Sequence, residues 1–200
     1  MGFPPGEKAV VREYDDDNWI VHRPIRYRTA DGRRFTVHPG MHTDFASTPR
    51  MFLWFLPRTG RYTKAAILHD YLWREQVPAG QLSLVQADAL FRNAMAEMGV
   101  PLLRRWIMWT AVRWAALTKP GGRTGWLKQS WLAMVITLLA APIVLPPALL
   151  IVVSLFLFWL AELVVWAPPR LVAKMRKQTG RGAMATSDRP RFPVEAVRSP

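Results

Sequence analysis

Apolar and polar residues alternate over Lys8–Glu13 and again over Trp19–Thr29, the period expected of half-buried β-strands. Ala30-Asp31-Gly32 reads as a tight turn, where glycine supplies positive φ without steric cost, and Arg33–Val37 as the returning strand of a hairpin. Pro24 has no N–H to give to a ladder, so its strand belongs at an edge or a bulge. His38-Pro39-Gly40 closes this small sheet. The spacing then turns helical. A first helix is predicted over about Tyr62 to Glu75, with Tyr62, Ala66, His69 and Trp73 on one face. A second opens at Ser83 with a capping box completed by Gln86 and stops at Gly99, a favoured left-handed C-terminal residue. Leu84, Ala87, Phe91, Ala94, Met95 and Met98 form its apolar face, and Asp88 falls on the same side. A third begins at Pro101 and runs to about Thr118. Trp54 and Trp73 are expected in the core or as the wall of a pocket. In the third helix Arg104, Arg105, Trp106, Trp109, Arg113 and Trp114 mix cations with indoles. It reads either as an interfacial helix or, the favoured reading, with Trp106 and Trp109 packed on the other two helices.

Both periods then disappear. Trp131 to Ala161 is a run of 31 residues without one charge. About 20 apolar helical residues cross a bilayer core, so the run predicts a membrane protein. Pro142 and Pro146-Pro147 interrupt it. A break at Pro146-Pro147 leaves arms of Trp126–Leu145 and Pro147–Ala167, each of spanning length. Lys119, Arg123 and Lys128 precede the run; Arg170, Lys174, Arg176, Lys177 and Arg181 follow it. Cations on both flanks obey the positive-inside rule at both ends only if the chain returns to the cytoplasm, which favours a hairpin over a single kinked span. Trp126, Lys128, Trp131, Trp159, Trp166 and Arg170 are the expected membrane-interface residues.

The organisation expected is therefore residues 1–118 as a small α+β domain, 119–125 as linker, 126–167 as a transmembrane hairpin or one kinked span, and 168–200 as a basic, largely disordered tail. The fold class is α+β: a small antiparallel β-sheet packed on three helices, followed by a hydrophobic transmembrane helical hairpin. The front 130 residues hold 19 Lys/Arg against 11 Asp/Glu, and the remainder 8 against 3. That excess suits anionic lipid, and the apolar run makes lipid a simpler partner than nucleic acid. With no cysteine, disulfides and thiolate metal sites are excluded. The polar sequence after Met1 is not that of a cleavable signal peptide.

Chemistry concentrates in Gly40-Met41-His42-Thr43-Asp44-Phe45-Ala46-Ser47-Thr48-Pro49-Arg50 and in Ala65-Ala66-Ile67-Leu68-His69-Asp70-Tyr71-Leu72-Trp73, with Asp88 on the next helix. An isolated carboxylate on an apolar face is costly, so Asp88 is expected to accept from His69. The pair reads either as a base and its orienter, as water activation requires, or as a buried structural hydrogen bond. Asp70, turned about 100° from His69, is placed to ligate a divalent cation or to orient the loop. Asp44 and Ser47 approach from the loop after the sheet, and Asp44 alternatively caps that loop. The candidate catalytic set is His69, Asp88, Asp70, Asp44 and Ser47, with Asp70 and Asp44 as candidate metal ligands. His42 and His22 are weaker candidates. No zinc helix motif, phosphate-binding glycine loop or nucleophile elbow is present.

The run Val37 through Arg50, then Gly60-x-Tyr62-x-x-Ala65-Ala66-x-x-His69-Asp70-Tyr71-Leu72, then Ala87-Asp88-x-x-Phe91-x-x-Ala94-Met95 resembles the domain-of-unknown-function 1353 family of bacteriophages, prophages and bacteria. The resemblance covers roughly residues 18–116 and brings no agreed activity. Its shared polar residues Asp44, Ser47, His69, Asp70 and Asp88 come over as candidate site positions, and the membrane segment is a departure from its usually soluble members. Ala-Ala-x-x-His-Asp-Tyr is also similar to the catalytic helix of secreted phospholipases A2, without their disulfides and calcium loop. The expectation is a phage- or prophage-type membrane-anchored protein that acts through binding, at the host membrane or in virion assembly. Its partners are anionic lipid, a phage or host envelope protein, or further copies of itself. It would lie in the bacterial inner membrane or the virion, with the front domain facing the cytoplasm. The alternative is a membrane-surface hydrolase using His69 and Asp88 on lipid or cell-envelope material.

Overall fold

The structure is a computed structural model that describes residues 2–15, 18–45, 48–118, 122–123 and 126–178, with side chains as far as 167. Strands β1 (Val11–Glu13), β2 (Trp19–Val21), β3 (Ile25–Arg28), β4 (Arg34–Val37) and β5 (His42–Thr43) are followed by helices α1 (Thr63–Tyr71), α2 (Leu84–Glu97), α3 (Leu102–Ala115) and α4 (Trp126–Gln178). The mixed α/β architecture and the three helices of the front domain agree with the sequence reading. The linker lies mostly outside the described residues, and the tail from 179 onward lies wholly outside them.

One sheet was expected, and two form. β1, β2 and β5 make one antiparallel sheet in the order β1-β2-β5, and β3 pairs only with β4. The alternating run Trp19–Thr29 divides into β2 and β3 around Pro24, which has no N–H to continue a ladder. In the β3–β4 hairpin Ile25 faces Val37 and Tyr27 faces Phe35, and all four side chains are buried. Gly2 exchanges two backbone hydrogen bonds with Arg28 and covers the outer edge of β3.

α1 packs on this hairpin, α2 packs on α1, and α3 packs on α2. The core lies between these layers, from Val21, Ile25 and Val37 through Ile67, Leu68 and Leu72 to Phe91 and Met95. Trp54, expected inside, is 49% exposed and rests against Phe55. Trp109 is buried. Past Tyr71 the first helix widens into a π-turn over Leu72–Gln76, with Val77 N–H bonding to the Leu72 carbonyl five residues back. The capping box of α2 forms: Gln86 N–H donates to Ser83 Oγ and Ser83 N–H to Gln86 Oε1.

The front unit, which takes in most of residues 1–142, includes the first turns of α4. There Trp126, Ser130 and Ala133 are buried. A second unit is formed mainly by residues from Ile143 onward. The expected turn at Pro146-Pro147 is absent, and α4 continues through Pro142, Pro146 and Pro147, and through Pro168 and Pro169 beyond them, for 53 residues, about 80 Å. The flanking residues Val144, Leu145, Ala148 and Leu149 offer none of the Gly, Asn, Asp or Ser chemistry that builds a turn. The missing N–H groups of Pro142, Pro146 and Pro147 leave three carbonyls unpaired, and a turn here would leave more. From Trp126 to Ala167 this helix is long and apolar enough to cross a membrane.

Candidate functional site

α1 and α2 bring His69 and Asp88 together as the sequence implied. His69 Nε2 lies 2.8 Å from Asp88 Oδ1, and Asp88 is fully buried. The carboxylate accepts, so the ring proton sits on Nε2. The imidazole stacks between Trp73 and Phe91, with centroids 5.0 and 4.8 Å away.

Two further donors complete Asp88. Trp73 Nε1–H reaches the same Oδ1 at 2.9 Å, and Arg113 of α3 reaches Oδ2 at 2.7 Å. Arg113 is 2% exposed and is spent on both sides, since its Nε and Nη2 donate to Ser130 Oγ of α4 at 2.9 and 2.7 Å. Trp126 Nε1–H bonds to the Arg113 carbonyl at 2.6 Å. A buried chain thus runs from His69 through Asp88 and Arg113 to the root of the apolar helix. Sequence reasoning missed Arg113 and Ser130. The signal was there: Trp109, Arg113 and Ala116 stand four and then three residues apart, on the buried face of α3.

Asp70 points elsewhere. Thr43 Oγ1–H donates to Asp70 Oδ2 at 2.5 Å, and the same hydroxyl accepts the Phe45 N–H at 3.1 Å. Thr43, which the sequence reading passed over, therefore caps this loop through Phe45. Phe45 takes φ +58°, a left-handed backbone rare for a bulky residue, and is held there by burial and by stacking on Trp19. Asp44 is buried, with Arg74 Nη2 3.8 Å from its Oδ1. Loss of water first, and then the Asp44 charge, push the Asp70 carboxyl well above the usual carboxylate range. The π-turn separates two neighbours, sending Trp73 to Asp88 and Arg74 toward Asp44.

The candidate residues thus form two groups, His69–Asp88 and Asp44–Asp70; Ser47 lies outside the described residues. No three His, Asp or Glu side chains converge on a metal-sized site among the described residues. Of the expected interface residues, Lys128 and Trp131 are exposed, and Trp159 and Trp166 are half-buried. Trp126 is placed differently. At 4% exposure it packs on Trp114 because its indole is drawn to the Arg113 carbonyl. The Arg170 side chain lies outside the described residues.

This is a small α+β domain with a buried ionic core, continued by a long apolar helix. Residues 19–112 match the family model described as "Protein of unknown function (DUF1353)", and this part of the chain belongs to that family. No curated protein and no solved structure matches the chain.

Proposed function

We propose that this is a membrane-anchored interaction module of phage or prophage type, in which α4 spans the bilayer and the DUF1353 domain is held against its root to bind an envelope or phage protein. The observation that carries this is the Asp88–Arg113–Ser130 chain, which ties the domain's buried core to the apolar helix. A flexible tether needs no such joint. Leu138, Leu139, Ile143, Leu149, Leu150, Phe158 and Val165 are each more than 60% exposed, a surface that water disfavours and lipid accepts. Leu138 to Ala161 is an uncharged stretch of about 36 Å as helix, enough to cross the hydrocarbon. With one span the basic flanks fall on opposite sides. Near the span three cations precede it (Lys119, Arg123, Lys128) and five follow it (Arg170, Lys174, Arg176, Lys177, Arg181). The flanks therefore do not set the cytoplasmic placement of the front domain, which protease protection decides.

His69 supports this reading over hydrolysis: the residue is buried and its ring is flanked by two aromatics. The test is carbonate extraction of membranes from cells making the full chain, with protease protection to locate the front domain. Retention in the pellet, with the domain digested only after the cytoplasmic face is opened, is the expected result. Full release by carbonate refutes anchoring.

A further inference from the structure

We infer that the first turn of α3 is a second membrane contact, in which Leu102 and Leu103 enter the bilayer while Arg92, Arg104 and Arg105 engage anionic lipid headgroups. This rests on the reading of α4 as a membrane span. Leu102 and Leu103 are 61% and 63% exposed, adjacent, and next to two arginines. Arg104 is exposed and Arg105 half-exposed. Arg92 of α2 lies over the Trp106 ring at 4.4 Å and within 5.7 Å of Trp109. Burial and the nearby Arg105 charge pull Arg92 below its usual range, so these cations crowd one another.

Nothing acidic answers them. None of the three arginines makes a carboxylate ion pair among the described residues. The sequence has no Asp or Glu between Glu97 and Glu162. Exposed leucines beside cations and an indole are the composition of a segment that lies at a lipid surface. A second copy of the chain would bring the same positive patch and be repelled. A nucleic-acid backbone would satisfy the arginines and leave both leucines in water. The same helix α3 also holds the first turns of α4, through Arg113–Ser130 and through Trp114 Nε1–H to Thr137 Oγ1 at 2.9 Å.

The absence of cysteine makes a clean test available. The full chain carries a single nitroxide at Leu103→Cys or, as reference, at Leu157→Cys in the span. It is placed in nanodiscs of phosphatidylcholine alone or of phosphatidylcholine with phosphatidylglycerol. Collision with oxygen and with a water-soluble nickel chelate reports depth. The expected result is an oxygen-accessible, nickel-protected label at position 103 only in the anionic discs. That protection should be lost when Arg104→Glu and Arg105→Glu are added, while position 157 stays lipid-buried throughout. A nickel-accessible position 103 in anionic discs overturns the inference, as does a label shielded from both reagents, which signals a protein contact. Equal insertion in both lipids overturns headgroup recognition. A nickel-accessible position 157 overturns the membrane reading itself and is told apart by that label.

Discussion

Replacing Arg113 with methionine should be among the most damaging single changes in the front domain. Methionine keeps the apolar stem of the side chain and removes its charged head. Asp88 has no exposed surface and accepts three hydrogen bonds, from His69, Trp73 and Arg113. Without Arg113 it keeps two donors and loses the cation 2.7 Å from Oδ2. Removing one partner of a buried pair costs about 3–5 kcal/mol, because the remaining charge stays out of water uncompensated. The two remaining donors place this case near the lower end, at about 3 kcal/mol. For a domain of this size that is a fall in Tm of about 12–24 °C, at about 4–8 °C per kcal/mol.

The assay is thermal and urea unfolding of the full chain in detergent, followed by tryptophan fluorescence and circular dichroism. Asp88→Asn should destabilise comparably, since it strands Arg113. The double variant should be more stable than the two losses added together, by about 2 kcal/mol or more, since neither charge is then left alone. Methionine in any case retains only the apolar stem and not the reach of arginine, and Arg113→Lys should recover only part of the loss, because an ammonium cannot present the fork that reaches Asp88 and Ser130 together. Added salt should change these differences little, since both groups are buried. A loss within about 0.5 kcal/mol for Arg113→Met, or strict additivity in the double variant, would refute the reasoning.

Ser130→Ala leaves two Arg113 N–H groups without their acceptor and should cost about 1–3 kcal/mol in the same unfolding assay, with Arg113 itself intact. His69→Ala should lower stability by a similar 1–3 kcal/mol by removing a buried donor to Asp88; lost activity at unchanged Tm would instead revive the catalytic reading. Asp70 has a raised carboxyl pKa when folded, so the folded state binds its proton more tightly than the unfolded one does. Its contribution is full below the ordinary carboxylate range and is lost as pH rises through the folded value. Asp70→Asn should therefore raise Tm at pH 7 and leave it nearly unchanged near pH 4; the reverse order in a pH series would sink this account. Ser83→Ala, which opens the capping box of α2, should cost about 1 kcal/mol, read as a matching Tm shift.

Local chemistry was the most legible part of this chain. The capping box of α2, the β3–β4 turn and the helical placing of His69 and Asp88 each follow from a few neighbouring residues. The interrupted strand was half legible: Pro24 announced a break, but whether a broken strand rejoins one sheet or divides into two depends on partners far along the chain. The prolines of α4 misled for a physical reason. Each proline removes one hydrogen bond from the helix ladder, whereas a turn at the same place removes several. Val144, Leu145, Ala148 and Leu149 give a turn neither the residues to build it nor polar groups to pair it.

The site shows what hydrogen-bond accounting adds to pattern reading. An imidazole gives Asp88 one N–H, and a buried carboxylate has further lone pairs to satisfy, so His69 alone does not complete it. A further donor comes from an element packed on α2. That element is α3, whose buried face carries Arg113 between Trp109 and Ala116. Guanidinium in turn has more donors than one carboxylate accepts, and a buried one must spend the remainder. The first turns of α4 supply Ser130, which is fully buried. Each polar residue thus requires the next. The fixed seating of α4 on the domain is the consequence of one carboxylate on the inner face of α2.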